Sequence, residues 1–508
     1  MSESKSELFF QSSLADKVSY LSSKMGHSSD LVSRILFIGE SRQIQAAIIF
    51  VAGLIDSKVI GNAIESLLEN KYAQEFKAND WFQDDLPDLL QYISLPVGGI
   101  RNLYEISSLF EAMLSGEAIL VFDGHTGCLA LNTKGGEERS IEEPSTQTVV
   151  RGPREGFTEN LNTNTALVRR KIKNENLWLE KKIIGTVTKT DVALMYIEGI
   201  ADKKVVEEAR IRLDRIDIDG ILESGYIEEM IQDETYTPFP TIMNSERPDV
   251  VAAALLEGRI AIFIDGTPFV LLIPALFIQF FQAAEDYYQR YDYGIIRLLR
   301  FLTFFIALLG PAMYIAITTF HQETLPTPLL ISLAAQREGI PFPAFVEALI
   351  MEVTFEILRE AGVRMPRAVG QAVSIVGALV LGDAAVQAGL VSPAMVIVVS
   401  LTALSNLVIP AFNLAISIRV LRFAIMLLAA SFGLFGISAA LIGIVLHLCS
   451  LRSFGVPFMS PFAPFIWNEQ RDTLIRLPIW MMHTRPRFIG KKNKVREHNS
   501  APKKPSPS

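Results

Sequence analysis

The sequence predicts an α+β soluble N-terminal half, with two similar α/β subdomains, followed by an all-α polytopic transmembrane domain that contains a re-entrant or broken-helix segment. Three observations support this fold class. Residues 423–448 form an apolar run without Asp, Glu, Lys or Arg, and about 20 such residues cross the hydrocarbon layer as a helix. Prolines interrupt the apolar sequence between residues 310 and 343. A strand, glycine, aspartate and helix pattern occurs twice in the N-terminal half.

The composition argues against several classes of protein. The 508 residues are 50% hydrophobic and 20% charged, and the net charge of −8 gives no basic field for nucleic acid. Cys128 and Cys449 lie far apart and predict neither a disulfide framework nor a metal site. The first residues lack the charged and then apolar pattern of a signal peptide, so we expect the soluble half to stay in the cytoplasm.

We expect six regions along the chain. They are a polar N-terminal arm (1–40), a first α/β subdomain (41–133), a linker with a basic helix (134–185), a second α/β subdomain (186–290), a transmembrane domain of about four to five spans (291–451) and a cytoplasmic basic tail (452–508). From Arg485 the tail is basic and then rich in Pro, Ser and Lys, so we expect it to be disordered and to face lipid.

Two sequence markers predict that the α/β subdomains arose by duplication. Residues 53–56 (GLID) match residues 199–202 (GIAD), an offset of 146 from 53 to 199. Residues 114–124 match residues 256–266, an offset of 142 from 114 to 256, and both end in Asp-Gly. Two markers in the same order at nearly equal offsets indicate a repeated unit. Chance is the alternative, because Asp-Gly hairpin turns are common.

A basic stretch between the subdomains has two interpretations. Residues 151–173 begin with turn formers and continue as a predicted helix rich in Arg and Lys. The cluster is either a solvated helix face, which composition alone favours, or a surface that docks onto a neighbouring subunit or anionic lipid. The candidate residues for a subunit contact are Arg151, Arg154, Arg169 and Arg170.

The membrane block is predicted to contain four spans and one irregular segment. The spans are residues 301–320, interrupted by Gly310-Pro311, and residues 368–391, 394–416 and 423–448. Residues 329–335, flanked by prolines, are expected to form a re-entrant or interfacial segment. Four spans place the soluble half and the basic tail on one side, as the positive-inside rule favours, but they leave Arg359, Arg364 and Arg367 on the other side. A fifth span at residues 342–358 would place these three arginines on the favoured side but would leave the basic tail on the other side.

Three glutamates make residues 342–358 unusual. Glu352 and Glu356 lie one helical turn apart on one face, whereas Glu347 lies about 140° away from Glu352. Carboxylates within the membrane usually face a bundle interior or an aqueous path. The alternative is an interfacial helix with its glutamates in water. The candidate ion pathway comprises Glu347, Glu352, Glu356, Asp383, Gln371 and Ser374.

Chemical motifs do not favour an enzyme. The glycine-rich pieces lack the Lys-Ser/Thr of a phosphate loop, the six histidines are scattered, and no nucleophile elbow occurs. We therefore expect no enzymatic activity, no cofactor and no metal. Two classes remain: a channel or transporter, and a scaffold or receptor subunit that signals through its soluble half.

The sequence resembles the A subunit of GerA-type spore germinant receptors, a family that includes the SpoVAF-like proteins. The resemblance covers roughly residues 145–488, and the first 145 residues match more loosely. It is carried by RGPREGFTENLNTNTALVRRKIK (151–173), DRIDIDGILESGYIEE (214–229), ERPDVVAAALLEGRIAIFIDGTPFVLLIP (246–274), PTPLLISLAAQREGIPFP (326–343), SIVGALVLGDAAVQAGLVSP (374–393) and LCSLRSFGVPFMSPFAPF (448–465).

This resemblance implies a multi-pass protein of the spore inner membrane that takes part in breaking dormancy. A subunits of the family act with a transporter-like B subunit and a lipoprotein C subunit. They are thought to assemble, as a pentamer, into a nutrient-gated ion channel. SpoVAF-type members act instead as accessory channels that amplify germination.

Overall fold

The structure, a computed structural model, describes residues 9–38, 44–69, 95–135, 143–144, 147–364, 382–490 and 493–496. The chain divides into two compact units. We call the first the α/β unit; it comprises Met1–Gln232, Ile242–Pro274 and Thr484–Arg496. We call the second the helical unit; it comprises Asp233–Thr241, Ala275–His483 and Glu497–Ser508.

The α/β unit contains two sets of elements in the same order. The first set is α1 (Leu14–Lys24), β1 (Leu31–Ile38), β2 (Ile44–Val51), α2 (Ser57–Glu69), β3 (Ile100–Leu103), α3 (Ile106–Leu114), β4 (Ala118–Phe122) and β5 (Cys128–Leu131). The second set is α4 (Leu161–Lys171), β6 (Leu177–Ile184), β7 (Thr190–Ile197), α5 (Lys203–Arg215), α6 (Ser224–Ile231), β8 (Met243–Ser245), α7 (Pro248–Glu257), β9 (Ile260–Ile264) and β10 (Val270–Ile273). The second set adds only α6 to the described pattern.

The two sheets have the same topology, as a duplicated unit would. The sheets are ordered β1-β2-β4-β5-β3 and β6-β7-β9-β10-β8, with antiparallel neighbours throughout. Their registers are equivalent as well. The pair Leu31↔Val51 corresponds to Leu177↔Ile197, which is the offset of 146, and Ala118↔Leu131 corresponds to Ile260↔Ile273, which is the offset of 142.

The repeated Asp-Gly turn has a structural reason. Asp123 accepts the backbone N–H of Leu14 at 2.9 Å, and Asp265 accepts that of Leu161 at 3.0 Å. Each aspartate therefore satisfies a free donor at the start of the first helix of its own subdomain. The turn residue thus fixes the helix to the sheet in both copies.

The subdomains begin earlier in the chain than the sequence suggested. The expected arm, residues 1–40, contains α1 and β1, and the expected linker, residues 134–185, contains α4 and β6. These elements complete the two sheets. The first sheet is buried on both faces: Ala47, Ile49 and Val51 of β2 pack into one cluster, and the alternate residues of the strand pack into another. α1 packs against the first sheet, and this contact orders the N-terminal segment although its composition is polar.

The helical unit consists of a small set of helices and a folded C-terminal segment. Its helices are α8 (Glu285–Tyr288), α9 (Ile296–Thr319), α10 (Thr327–Arg337), α11 (Ala344–Arg364), α12 (Pro393–Leu407) and α13 (Phe412–Ser450), followed by the short strands β11 (Arg452–Ser453) and β12 (Val456–Pro457). Single-turn 3-10 helices occur at Phe277–Phe281, Tyr291–Ile295, Gln322–Thr324, Trp467–Arg471 and Ile479–Met481.

Among the residues that the structure describes, two helices are long and apolar enough to cross a membrane. They are Tyr293–Thr319, of 27 residues, and Phe412–Ser450, of 39 residues. α13 is interrupted at Gly433, whose φ of 59° and ψ of −140° are not helical. A side chain there would meet Phe320 and His321, so glycine permits both the backbone turn and the close contact.

The expected third span, residues 394–416, is divided. α12 ends at Leu407, and α13 begins at Phe412 and continues through the expected fourth span. Pro410 lies in this break. Proline has no N–H to donate and disfavours helix at the residue before it, so it accounts for the break. Residues 329–335, expected to form a re-entrant or interfacial segment, lie in α10. Most of the expected second span lies outside the described residues.

Residues 484–496, which belong to the α/β unit, are more ordered than expected where the structure describes them. Arg485 donates from Nε to the carbonyl oxygen of Leu256 at 2.8 Å, and Thr484 pairs with Val495 in an isolated bridge. The expectation of disorder from Arg485 onward is therefore wrong for residues 485–490 and 493–496. The remainder of the predicted disordered tail lies outside the described residues.

Candidate functional site

The glutamates of α11 are paired with arginines of α13. Arg422 Nη1 lies 2.5 Å from Glu352 Oε2, and Arg419 Nη1 lies 2.8 Å from Glu356 Oε2. The two acids are one turn apart on α11, and the two arginines are one turn apart on α13, so the pairs form adjacent rungs. We call these two pairs the ion-pair ladder. Its chain order is opposite on the two helices, which therefore run antiparallel.

The inner rung of the ladder is fully buried but incompletely bonded. The side chains of Glu352 and Arg422 are 1% and 2% exposed. Among the described residues, Glu352 Oε1 and Arg422 Nε have no hydrogen-bond partner. The attraction of a buried pair repays its desolvation only when the remaining polar atoms are also satisfied. The inner rung therefore holds α11 to α13 without reaching its full bonding capacity.

Glu347 has a separate role at the start of α12. Its Oε2 accepts the backbone N–H of Ser392 at 3.0 Å, and its Oε1 lies 3.3 Å from Arg337 Nε. Ser392 is the N-cap of α12, and its hydroxyl accepts the N–H of Met395. A carboxylate at a helix N-terminus complements the free N–H groups and the helix dipole. The buried Glu347 thus positions α12.

The other predicted pathway residues are not brought to the ladder. Asp383 is exposed and accepts a hydrogen bond from Gln387 at 2.6 Å. Gln371 and Ser374 lie outside the described residues. The structure therefore places two of the six candidate residues, Glu352 and Glu356, in one cluster, and it assigns Glu347 to a helix start.

Sequence reasoning missed the three arginines that pair with these acids. Arg419 and Arg422 precede the charge-free run at residues 423–448 and read as charges at the end of a span. The sequence did contain a signal for this pairing. The two arginines are three residues apart and the two glutamates four, so each pair lies about one helical turn apart and could face the other. Arg337 follows the segment at residues 329–335 that was expected to be re-entrant or interfacial, and nothing in the local sequence links it to Glu347.

A second ionic cluster fixes the start of α9. Arg300 Nη1 donates to both carboxylate oxygens of Asp286 at 2.8 Å, and Arg297 Nε donates to Asp286 at 3.0 Å. Arg297 also reaches Asp472 at 2.9 Å. These arginines lie just before the apolar part of the helix, where positive charge is common in cytoplasmic flanks. Here they join the helix start to the C-terminal segment.

The four arginines proposed for subunit contacts are in different environments. Arg169 is buried, with Nε at 2.5 Å and Nη2 at 2.9 Å from the carboxylate of Asp30, and with Nη2 at 3.0 Å from the hydroxyl of Ser28. Arg169 therefore joins the two subdomains within one chain and is not a surface residue. Arg151, Arg154 and Arg170 are exposed. They remain candidates for a surface contact.

A pair of acids in the α/β unit has perturbed proton affinity. Burial raises the pKa of Glu228 in α6 to about 7, and the nearby charge of Glu223 adds to the shift, whereas a hydrogen bond with Asn244 opposes it. Glu223 is held in turn by the hydroxyl of Thr267, which donates to it at 3.0 Å. In the part of the chain that the structure describes, no group of three or more His, Cys, Asp or Glu could hold a metal ion.

The fold and these clusters define a duplicated α/β unit joined to a helical unit whose longest helices could cross a bilayer. Comparison with known proteins gives the family. A model described as the Bacillus/Clostridium GerA spore germination protein matches residues 19–488. The chain belongs to this family of spore germination proteins, as the resemblance implied.

Similar proteins span nearly the same length. Spore germination protein KA of Bacillus subtilis (strain 168) is 53% identical over 498 residues, which cover 98% of this chain and 90% of that protein. The uncharacterized membrane protein YfkQ of the same organism is 51% identical, covering 85% of this chain and 86% of its own. Spore germination protein GerLA of Bacillus cereus is 36% identical, covering 96% and 97%.

One solved structure is also similar. It is the crystal structure of the N-terminal domain of the A subunit of the Bacillus megaterium spore germinant receptor GerK3. The identity is 44%, the match covers 53% of this chain and 98% of that one, and the TM-score is 0.42.

Proposed function

We propose that this chain is the A subunit of a nutrient germinant receptor in the spore inner membrane, and that it acts as one subunit of an oligomeric, ligand-gated ion channel. In this proposal the channel is a pentamer, the helical unit crosses the membrane several times, and the α/β half faces the cytoplasm and makes subunit contacts. A transporter-like B subunit and a lipoprotein C subunit are its partners. The chain is not an enzyme.

The observation that carries the proposal is the ion-pair ladder. Two carboxylates of α11 and two guanidinium groups of α13 lie between these helices, within largely apolar sequence. Charged side chains are rare at such positions and usually serve ion or proton movement. The proposed pathway contains the acids Glu347, Glu352, Glu356 and Asp383, together with Gln371 and Ser374.

In the proposed closed state the arginines neutralise the ladder acids. A cation entering the bundle would meet carboxylates that are already paired, so conduction requires the rungs to separate. The incomplete bonding of Glu352 and Arg422 makes this exchange of partners easier than it would be for a saturated pair. Ligand binding by the receptor would supply the free energy that separates them.

The test is monovalent cation release from spores that carry Glu352→Gln or Glu356→Gln. We expect both changes to alter the rate of release after germinant addition. The matched control is Glu360→Gln on the same helix, because Glu360 is 65% exposed and pairs only locally with Arg364. Normal release from both ladder variants would remove these residues from the pathway. Native mass spectrometry of the purified chain tests the pentamer.

A non-conducting receptor scaffold is the second candidate. It is favoured by the pairing itself, since each of the three α11 glutamates considered for the pathway has an arginine partner. In that case reconstituted liposomes would show no ion flux under any ligand. A SpoVAF-type accessory channel is a further alternative within the same family, and it would conduct without the B and C subunits.

A further inference from the structure

A buried asparagine, Asn406, lies on α12 one turn beyond Thr402, the residue that approaches Gly310 of α9. Asn406 is 2% exposed. Neither its Oδ1 nor its Nδ2 has a hydrogen-bond partner among the residues that the structure describes. A buried amide with both atoms unpaired is rare, because each buried donor or acceptor that lacks a partner destabilises the fold. The amide therefore indicates a bound group that both donates and accepts hydrogen bonds.

The opposite helix carries a carbonyl group without its usual donor. Pro311 lies inside α9. Since proline has no N–H, it cannot donate to the carbonyl oxygen of Ala307 four residues earlier. Ala307 is fully buried, so bulk water does not reach this oxygen freely. A helical proline is tolerated when another group satisfies the released carbonyl.

The helix register places these two groups at the same level. The hydroxyl of Tyr314 lies 3.3 Å from that of Ser392, and a Cβ added to Gly310 would lie 2.9 Å from Thr402 Oγ1. Residue numbers therefore rise along α9 as they fall along α12, and the helices run antiparallel. One turn before Gly310 is Ala307, and one turn after Thr402 is Asn406.

Side-chain direction brings the groups closer. A side chain on a helix leans toward the N-terminus of that helix, so the amide of Asn406 leans toward the level of Thr402. A helix carbonyl points toward the C-terminus, so the oxygen of Ala307 points toward the level of Gly310. A side chain on Gly310 would clash with Thr402 Oγ1, so the glycine allows α9 and α12 to approach closely at this level.

We propose that α9 and α12 bind an internal water molecule between the Ala307 carbonyl oxygen and the Asn406 amide. Water fits because it donates to Ala307 and Asn406 Oδ1 and can accept from Asn406 Nδ2. A monovalent cation would satisfy the oxygens but would repel the amide N–H, and none of the ligating groups is charged to balance it. The role that we assign to Asn406 is to bind this water molecule.

A double-mutant cycle on the full-length chain in nanodiscs tests the site. In the wild-type background, Asn406→Leu removes the water and leaves the Ala307 carbonyl unpaired, so we expect the melting temperature to fall by about 3 °C. Pro311→Ala restores the helix N–H for that carbonyl. In the Pro311→Ala background we therefore expect Asn406→Leu to cause no fall. Equal falls in both backgrounds would contradict the proposal.

Two further measurements keep the inference testable if Pro311→Ala does not fold. Asn413→Leu in α13 is the matched control, and it should lower the melting temperature less than Asn406→Leu. A density map near 2 Å resolution should show one isolated peak within hydrogen-bond distance of both groups, unchanged when N-methylglucamine replaces potassium. A missing peak, a peak that depends on potassium, or a protein side chain bonded to Asn406 would overturn the proposal.

Discussion

Two buried arginine–carboxylate pairs, one in each unit, differ in how completely they are bonded. Arg169 and Asp30 join the two subdomains of the α/β unit, and Arg422 and Glu352 join α13 to α11 in the helical unit. Both pairs have a shortest contact of 2.5 Å and almost no exposure. Distance and burial alone would therefore assign them the same role.

Their surroundings separate them. Arg169 binds both carboxylate oxygens of Asp30 and the hydroxyl of Ser28, and that hydroxyl also accepts the N–H of Leu179 from the second sheet. Only its Nη1 is unpaired among the described residues. Among the described residues, Arg422 makes one hydrogen bond, from Nη1 to Glu352. The first pair is one part of a fixed joint, whereas the second is held by its partner alone and can exchange it.

The largest expected effect is the loss of the fixed joint. Arg169→Met leaves Asp30 buried without its partner, so we expect the free energy of unfolding to fall by about 3–5 kcal/mol. Chemical denaturation of the full-length chain measures this. Arg170→Met is the matched control, because the exposed neighbour should change stability by no more than about 0.5 kcal/mol. Similar losses in both variants would show that Arg169 is not a joint.

The next effect distinguishes the two pairs directly. Arg422→Leu alone should destabilise the chain by about 3 kcal/mol, and adding Glu352→Leu should recover most of that loss, since an apolar pair can replace an isolated buried ion pair. Arg169→Leu with Asp30→Leu should recover little, because the Ser28 bond is also lost. The measurement is the melting temperature of each variant. Equal recovery of stability at both sites would mean that the two ion pairs do not differ in this way.

A smaller effect concerns the pH dependence of the α/β unit. The pKa of Glu228 rises from its usual 4.5 to about 7 in the folded chain, so the folded state binds this proton more tightly than the unfolded state. The contribution of Glu228 to stability is therefore present below about pH 4.5 and is lost as pH rises through about 7.

Glu228→Gln should remove this pH dependence. We expect the wild type to lose about 2 kcal/mol relative to the variant between pH 5 and pH 8. Denaturant unfolding at the two pH values measures the difference. A constant difference between the two proteins across this range would mean that Glu228 titrates at its ordinary pKa.

The smallest effect tests the equivalence of the repeats. Asp56 accepts the N–H of Lys58 at 2.8 Å, and Asp202 accepts that of Lys204 at 3.1 Å. Asp56→Ala and Asp202→Ala should each lower stability by about 1 kcal/mol, as the loss of an N-cap does. Thermal unfolding measures both losses. Unequal losses for the two variants would show that one subdomain does not depend on its N-cap.

The duplicated fold was predictable because its markers act locally. Asp56, Asp123 and their counterparts cap helices within their own subdomains, so the sequence carries them at fixed offsets. The first helix was assigned to a polar arm because Lys17 reads as polar although it is fully buried, with Nζ donating to the carbonyl of His125 at 2.8 Å. Only tertiary contacts provide that partner.

The acids of the candidate site were predictable from the sequence, but their arginine partners were not. The glutamates were visible because carboxylates are rare within apolar sequence. Their partners depend on how α11 and α13 pack, which residues 342–358 do not determine. The break at Gly433 was also hidden, since glycine is common in membrane helices and only its φ of 59° shows the interruption.

A charge-swap experiment tests the exchangeable ladder most directly. Cation flux is measured in liposomes that contain the wild type, Arg422→Glu, or Arg422→Glu combined with Glu352→Arg. If the inner rung holds the conduit closed, the single variant should leak cations without a ligand, because two glutamates repel each other and attract cations, and the double variant should return to the wild-type rate. Identical flux from all three proteins would contradict the account.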